Sequence, residues 1–198
     1  MRHESVPLGP LSVEEYLALE ESATVRHELV AGRLYQMSGT TLRHNQIATN
    51  ILRSLAALAA GTPCRVYLID VKVRAAADRI YYPDVVVACS AQEQDAVIVD
   101  APCFIVEVTS PSTRRTDRGE KLDAYLALAS LRGYLVVEQD RRHATAYGRE
   151  METEWKREEV VMSGAVHVAC LDGELSLDDV YAGVEMPSRV REDDEIEL

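Results

Sequence analysis

The run PCFIVEVTS (102–110) calls for a central strand and sets a problem inside it. Phe104, Ile105, Val106 and Val108 are apolar at alternating positions of both parities, the pattern of a strand covered on both faces. Glu107 stands within this run, and a carboxylate there costs several kcal/mol unless it is paired, coordinated or protonated. The segment PSTRRTDRGEKLDAYLALAS that follows changes to helical spacing, with Leu122, Leu126 and Ala129 facing a core. Asp117 and Glu120 stand at capping-box spacing, with Asp117 as N-cap. GYLVVE (133–138) then returns to strand. A strand–helix–strand order of this kind belongs to a mixed sheet carrying helices, in the α/β or α+β class.

The rest of the chain fits that frame. SVEEYLALEE (12–21) opens with Ser12 and Glu15 at capping-box spacing and predicts a short helix. Residues 26–39 read as two strands around Ala31-Gly32, a hairpin. Residues 43–60 place Ile47, Ile51, Leu52, Leu55 and Leu58 at helical spacing, and Gly61-Thr62-Pro63 stops them. CRVYLIDVKVR (64–74) and RIYYPDVVVAC (79–89) read as a second hairpin joined by AAAD. HATAYGRE, EWKREEVV and AVHVAC predict further short strands.

A partner for Glu107 is available on the preceding strand. Asp84 in YYPDVVVA enters an apolar strand 23 positions earlier. Adjacent strands lie about 4.8 Å apart, so two carboxylates on one face can share a cation. Lysine is scarce, at positions 72, 121 and 156 only, and Lys121 opens the helix that follows Glu107. A strand-to-helix connection can fold that first turn back over the carboxylates, where an ammonium can orient a water or offset charge on a phosphate. Arg114, Arg115 and Arg118 form the densest basic cluster of the chain and are the candidate phosphate contacts, beside a helix N-terminus.

With PD (83–84), EV (107–108), the displaced lysine in SPSTRRTDRGEKLDAY (110–125), HELVAGRLYQMSG and His44-Asn45-Gln46, the chain resembles the Uma family (group two) of the PD-(D/E)xK restriction-endonuclease-like superfamily. The resemblance spans roughly residues 12–140. It implies a mixed central β-sheet flanked by helices, forming one restriction-endonuclease-like domain (1–185) before an acidic, mobile tail (186–198). It also implies Asp84 and Glu107 as ligands of Mg²⁺ (or Mn²⁺) and Lys121 as the catalytic lysine moved onto the helix. The usual lysine position, two after the glutamate, holds Thr109. Glu28 and His44 match polar positions of the family motif and complete the expected catalytic set. GYLVVEQD and SGTT depart from the family pattern, which bears on substrate shape rather than on the three central residues. The implied activity is Mg²⁺-dependent endonucleolytic hydrolysis of DNA phosphodiester bonds, and cutting both strands of a duplex is served by a homodimer.

Composition restricts the alternatives. The net charge of −12 over 198 residues argues against nucleic-acid binding across the whole surface, so an anionic substrate needs a local basic patch or a metal. The same acidity favours a rival, a nuclease fold retained for binding or regulation without turnover. An acid/base pair of a glycosidase is a third reading, and it leaves Lys121 without a role. The bland reading of Glu107 is an ion pair with an Arg or Lys beneath the sheet. No apolar stretch approaches the roughly 18–20 residues that cross a bilayer, and the first residues lack a signal-peptide core, so a cytoplasmic protein without membrane contact is expected. Cys64, Cys89, Cys103 and Cys170 lack metal-site spacing and read as separate, reduced, buried thiols. Tyr81, Tyr82 and Tyr125 read as packing residues with solvated hydroxyls, and Asp70 as a third acid near the site without motif support.

Overall fold

A computed structural model describes residues 9–37, 39–68, 70–109, 119–151 and 154–187, together with the backbone of residues 3–4. The candidate phosphate contacts Arg114, Arg115 and Arg118, the expected N-cap Asp117 and residues 188–198 of the expected tail lie outside the described residues. None of the helices among the described residues is long and apolar enough to cross a membrane.

The first elements form where local chemistry asks for them. Helix α1 (Val13–Ser22) starts at Ser12, whose side chain accepts from the Glu15 amide while the Glu15 carboxylate accepts from the Ser12 amide. Strands β2 (His27–Val30) and β3 (Arg33–Gln36) pair antiparallel across Ala31 and Gly32, and β1 (His3–Glu4) adds to β3. Both turn residues take positive φ, 49° and 77°, as a two-residue turn matching the strand twist requires. Helix α2 (Leu42–Ala59) is capped by Thr41, whose side chain accepts from the His44 amide.

Residues 64–89 depart from the expected single hairpin. The segment breaks into β4 (Arg65–Leu68), β5 (Lys72–Ala76), β6 (Arg79–Tyr81) and β7 (Val85–Ala88). The inner pair β5–β6 belongs to one sheet and the outer pair β4–β7 to another. The chain changes sheet near Asp70, whose φ is 61°, and again at Tyr82-Pro83-Asp84, where proline cannot donate to a ladder. Among the described residues the strands form two six-stranded sheets and a separate two-stranded one.

The first sheet has the order β1-β3-β2-β6-β5-β8, with β8 (Ile98–Val99) parallel to β5. The second has the order β12-β11-β10-β9-β7-β4. In it β9 (Phe104–Thr109) and β10 (Gly133–Glu138) run parallel, as a crossover through helix α3 (Glu120–Leu126) requires. Helix α3 starts at Gly119 without a side-chain cap and ends before Ala129, so Ala129 does not face the core from this helix. Strands β11 (His143–Arg149) and β12 (Trp155–Val161) extend the second sheet antiparallel. Beyond it come β13 (Ala165–Val168), a 3₁₀ turn (Ala169–Leu171), β14 (Gly173–Ser176) and α4 (Leu177–Val180). The mixed α/β class holds.

Side-chain alternation stacks these parts into layers. Phe104, Val106 and Val108 face Ile47, Ile51 and Leu55 of α2. Ile105 points the other way, into a layer shared with Tyr125 of α3 and with Val30, Val73 and Tyr81 of the first sheet. The far face of the first sheet presents Leu29 and Ile80 to Val13 and Tyr16 of α1. Glu28 and Glu107 alternate with residues of the outer layers and so face the space between the two sheets.

Candidate active site

Lys121 links the two sheets. Its Nζ lies 2.9 Å from Oε1 of Glu28 on the first sheet and 2.9 Å from Oε1 of Glu107 on the second. All three side chains are buried, at 5% exposure for Lys121, 3% for Glu28 and 4% for Glu107. An ammonium shared by two carboxylates offsets the desolvation that each charge would meet alone. The Tyr125 hydroxyl donates to the same Glu107 oxygen at 3.2 Å, and the Tyr82 amide donates to Glu28 Oε1 at 3.3 Å. Nζ of Lys121 also stands 5.6 Å from the centre of the Tyr81 ring.

Asp84 occupies the crossing between sheets. The β7–β9 register pairs Val85 with Val106, and one further step sets Asp84 opposite Glu107. Its Oδ2 accepts from the Val108 amide at 2.7 Å and lies 3.3 Å from Nε2 of His44, near the start of α2. Residues from β2, β9, α2 and α3, with Asp84 just before β7, thus gather around the crossing between the sheets. The three acids do not close into a compact ligand cage: among the described residues, the group of three or more Cys, His, Asp or Glu ligand atoms within 4.8 Å of one another is made of cysteines. Any cation here would take Asp84 and Glu107 as partial ligands and complete its shell otherwise. Thr109, two positions beyond Glu107 on the same face of β9, has a buried hydroxyl without a hydrogen-bond partner among the described residues.

Several expectations need correction. The tyrosine hydroxyls are not solvated. Tyr81 donates to Glu120 at 2.6 Å, Tyr82 to Glu20 at 3.0 Å and Tyr125 to Glu107. Burial pushes the Tyr125 phenol well above its ordinary range, and the Glu107 charge adds to the effect. Burial does the same to Tyr81, reinforced by the hydrogen bond to Glu120. Asp70 is not brought to the site; it pairs with Arg26 at 3.1 Å on the surface. Tyr125 was missed as a site residue although a signal was present, since it lies four positions after Lys121 and shares its helix face. The cysteines are not four separate thiols: Cys64 and Cys89 are joined by a disulfide, because the sheet brings the start of β4 beside the end of β7.

Two layered sheets, with acids at their junction and a helix-borne lysine between them, make a fold of the restriction-endonuclease type. A crystal structure described as a "putative nuclease belonging to DUF820" from Anabaena variabilis has this fold, with a TM-score of 0.72 at 18% identity, covering 87% of this chain and 98% of that one. Residues 13–179 match the Uma2 family, described as "Putative restriction endonuclease", and the chain belongs to that family. Two uncharacterized proteins of Synechocystis sp. are similar along most of their length. One is 29% identical over 182 residues, covering 91% of this chain and 96% of the relative. The other is 26% identical over 159 residues, covering 78% and 90%.

Proposed function

We propose that the protein is a metal-dependent endonuclease that hydrolyses phosphodiester bonds of DNA in the cytoplasm. The observation that carries this reading is the Lys121 ammonium held at 2.9 Å from both Glu28 and Glu107, with Asp84 set opposite Glu107 just before the neighbouring strand. The family description and the DUF820 relative support it. The donors fit a hard divalent ion such as Mg²⁺ or Mn²⁺, being carboxylate oxygens, and the Thr109 hydroxyl, without a partner among the described residues, is consistent with a further polar guest beside them. When bound, such an ion lowers the pKa of a coordinated water and neutralises charge on the scissile phosphate.

The chain's own groups have distinct tasks in this reading. Asp84 and Glu107 hold the ion. The Val108 amide and His44 fix the Asp84 carboxylate, and Tyr125 fixes that of Glu107. Lys121, paired with two carboxylates, steadies negative charge developing on a phosphate oxygen or orients the attacking water. Arg114, Arg115 and Arg118 grip a neighbouring phosphate, which a surface of net charge −12 makes necessary. A homodimer supplies the second site for a duplex cut.

The acidic surface favours one alternative, a nuclease fold that binds without turnover. Nicking of supercoiled plasmid with Mg²⁺ or Mn²⁺, compared between wild type and Glu107→Gln, tests both. Wild-type nicking that a chelator stops and the variant lacks is expected. Equal nicking by the folded variant would remove the assignment, and a wild type that neither nicks nor binds a divalent ion would favour the alternative.

A further inference from the structure

The four cysteines of the chain gather at one end of the second sheet, though they come from four separated segments: the sulfurs of Cys89, Cys103 and Cys170 lie within 4.8 Å of one another, and Cys64 joins them through its bond to Cys89. Cys64 precedes β4, Cys89 follows β7, Cys103 precedes β9, and Cys170 lies in the 3₁₀ turn after β13. Strand β7 runs antiparallel to both β4 and β9, so the first three positions share one end of the sheet. The 3₁₀ turn closes over that end. Beyond the Cys64–Cys89 bond, the Cys89 and Cys103 sulfurs are 3.2 Å apart, and those of Cys103 and Cys170 are 2.8 Å apart. The Cys64 and Cys89 sulfurs also lie 3.8 and 3.9 Å from the Cys170 carbonyl oxygen.

Buried thiols that serve only as small hydrophobes have no reason to gather sulfur to sulfur. Among the described residues no carboxylate or imidazole joins the set, so the donors are uniformly soft. The Cys103 thiol donates to the Cys170 sulfur at 2.8 Å, so these two sulfurs are already turned toward each other. Zn–S bonds of about 2.3 Å in a tetrahedron put sulfurs ~3.8 Å apart, so Cys89, Cys103 and Cys170 need to spread only slightly to hold one ion, and Cys64 turns in as the fourth ligand once its bond to Cys89 is cut. Sulfurs this close leave room for a single ion rather than a cluster of irons.

We infer that in the reduced protein Cys64, Cys89, Cys103 and Cys170 form a tetrathiolate zinc site, and that the Cys64–Cys89 disulfide is its oxidised, metal-free state. Passing between them takes two electrons. A dithiol reductant gives two electrons and two protons to the Cys64–Cys89 bond and becomes a disulfide. The four thiols then lose their protons as four Zn–S bonds form. The site is structural, tying β4, β7, β9 and the 3₁₀ turn together with every coordination position filled by protein. It does not rest on the nuclease reading.

Cobalt(II) titration of the full chain, freed of metal and reduced with a dithiol, tests the inference. The expected result is a thiolate-to-cobalt charge-transfer band with the visible bands of a tetrahedral ion, saturating at one equivalent and erased by zinc(II). The oxidised chain should show no such band, and Cys170→Ser should lose most of it. Zinc should also protect all four cysteines of the wild type from alkylation, a readout that needs no variant to fold. A reduced, folded chain without the band, an unchanged band in Cys170→Ser or in the oxidised chain, or protection of two cysteines or fewer would overturn it.

Discussion

The Lys121 ammonium donates to Oε1 of Glu107 at 2.9 Å, joining helix α3 to the central strand β9 inside the protein. Glu28 receives the same ammonium from the opposite sheet. Lys121→Met would leave two buried carboxylates facing each other without it. Loss of one member of a buried pair costs about 3–5 kcal/mol, so a marked fall in the urea midpoint is expected. An unchanged midpoint would show that the linkage contributes nothing to folding.

Asp84→Asn separates structure from metal binding. An asparagine oxygen can still accept from the Val108 amide, as Asp84 Oδ2 does at 2.7 Å, so stability should change by no more than about 1 kcal/mol. The charge available to a cation falls by one. Calorimetric titration with Mn²⁺ should show heat for the wild type and little for the variant; equal heats would exclude Asp84 as a ligand.

Alkaline pH should unfold the protein. Burial raises the phenols of Tyr16, Tyr81, Tyr82 and Tyr125 above their ordinary range. The folded chain therefore keeps protons that the unfolded chain releases above about pH 10. Stability is complete below that pH and falls as pH rises beyond it. Urea midpoints that hold steady into strong alkali, or tyrosinate absorbance appearing before unfolding, would contradict this.

The β2–β3 turn should tolerate no side chain at its second position. Gly32 has φ +77°, and a Cβ built there would stand 2.7 Å from Pro10 Cβ and 2.9 Å from Pro10 Cα. Gly32→Ala is expected to destabilise by about 1 kcal/mol or more, read as a lowered melting temperature. A variant as stable as the wild type would mean that the segment before α1 yields freely.

What the sequence disclosed depended on the range of the interaction. The Ser12/Glu15 cap, the Ala31-Gly32 turn and the Ile47–Ile51–Leu55 stripe are local, and each forms as its spacing predicts. The burial of Glu107 was legible because a charge in an apolar run is a conflict that needs no partner to be noticed. The division of residues 64–89 between two sheets was not, since hydrophobic alternation continues through Asp70 and Tyr82 and only the backbone turns there. Nor was the gathering of the cysteines, which depends on strand order and on a turn 67 positions beyond Cys103. Tyr125 lay between these cases: its spacing from Lys121 was visible, but the Glu107 oxygen that gives the spacing meaning belongs to another element.

The antiparallel pairing of β7 with β9 has a mechanical consequence. Cys103 stands just before β9 and Glu107 four residues further on within it, roughly 13 Å along an extended chain. Sliding β9 by a single residue would swing Glu107 out of the space between the sheets and into the layer of Val85 and Leu135, where no ammonium waits. The hydrogen bond from the Cys103 amide to the Val87 carbonyl, 2.7 Å at the sulfur end, therefore acts as an alignment pin for the acids at the other. An inserted residue anywhere between Cys103 and Glu107 would be far more damaging than the same insertion in a surface turn.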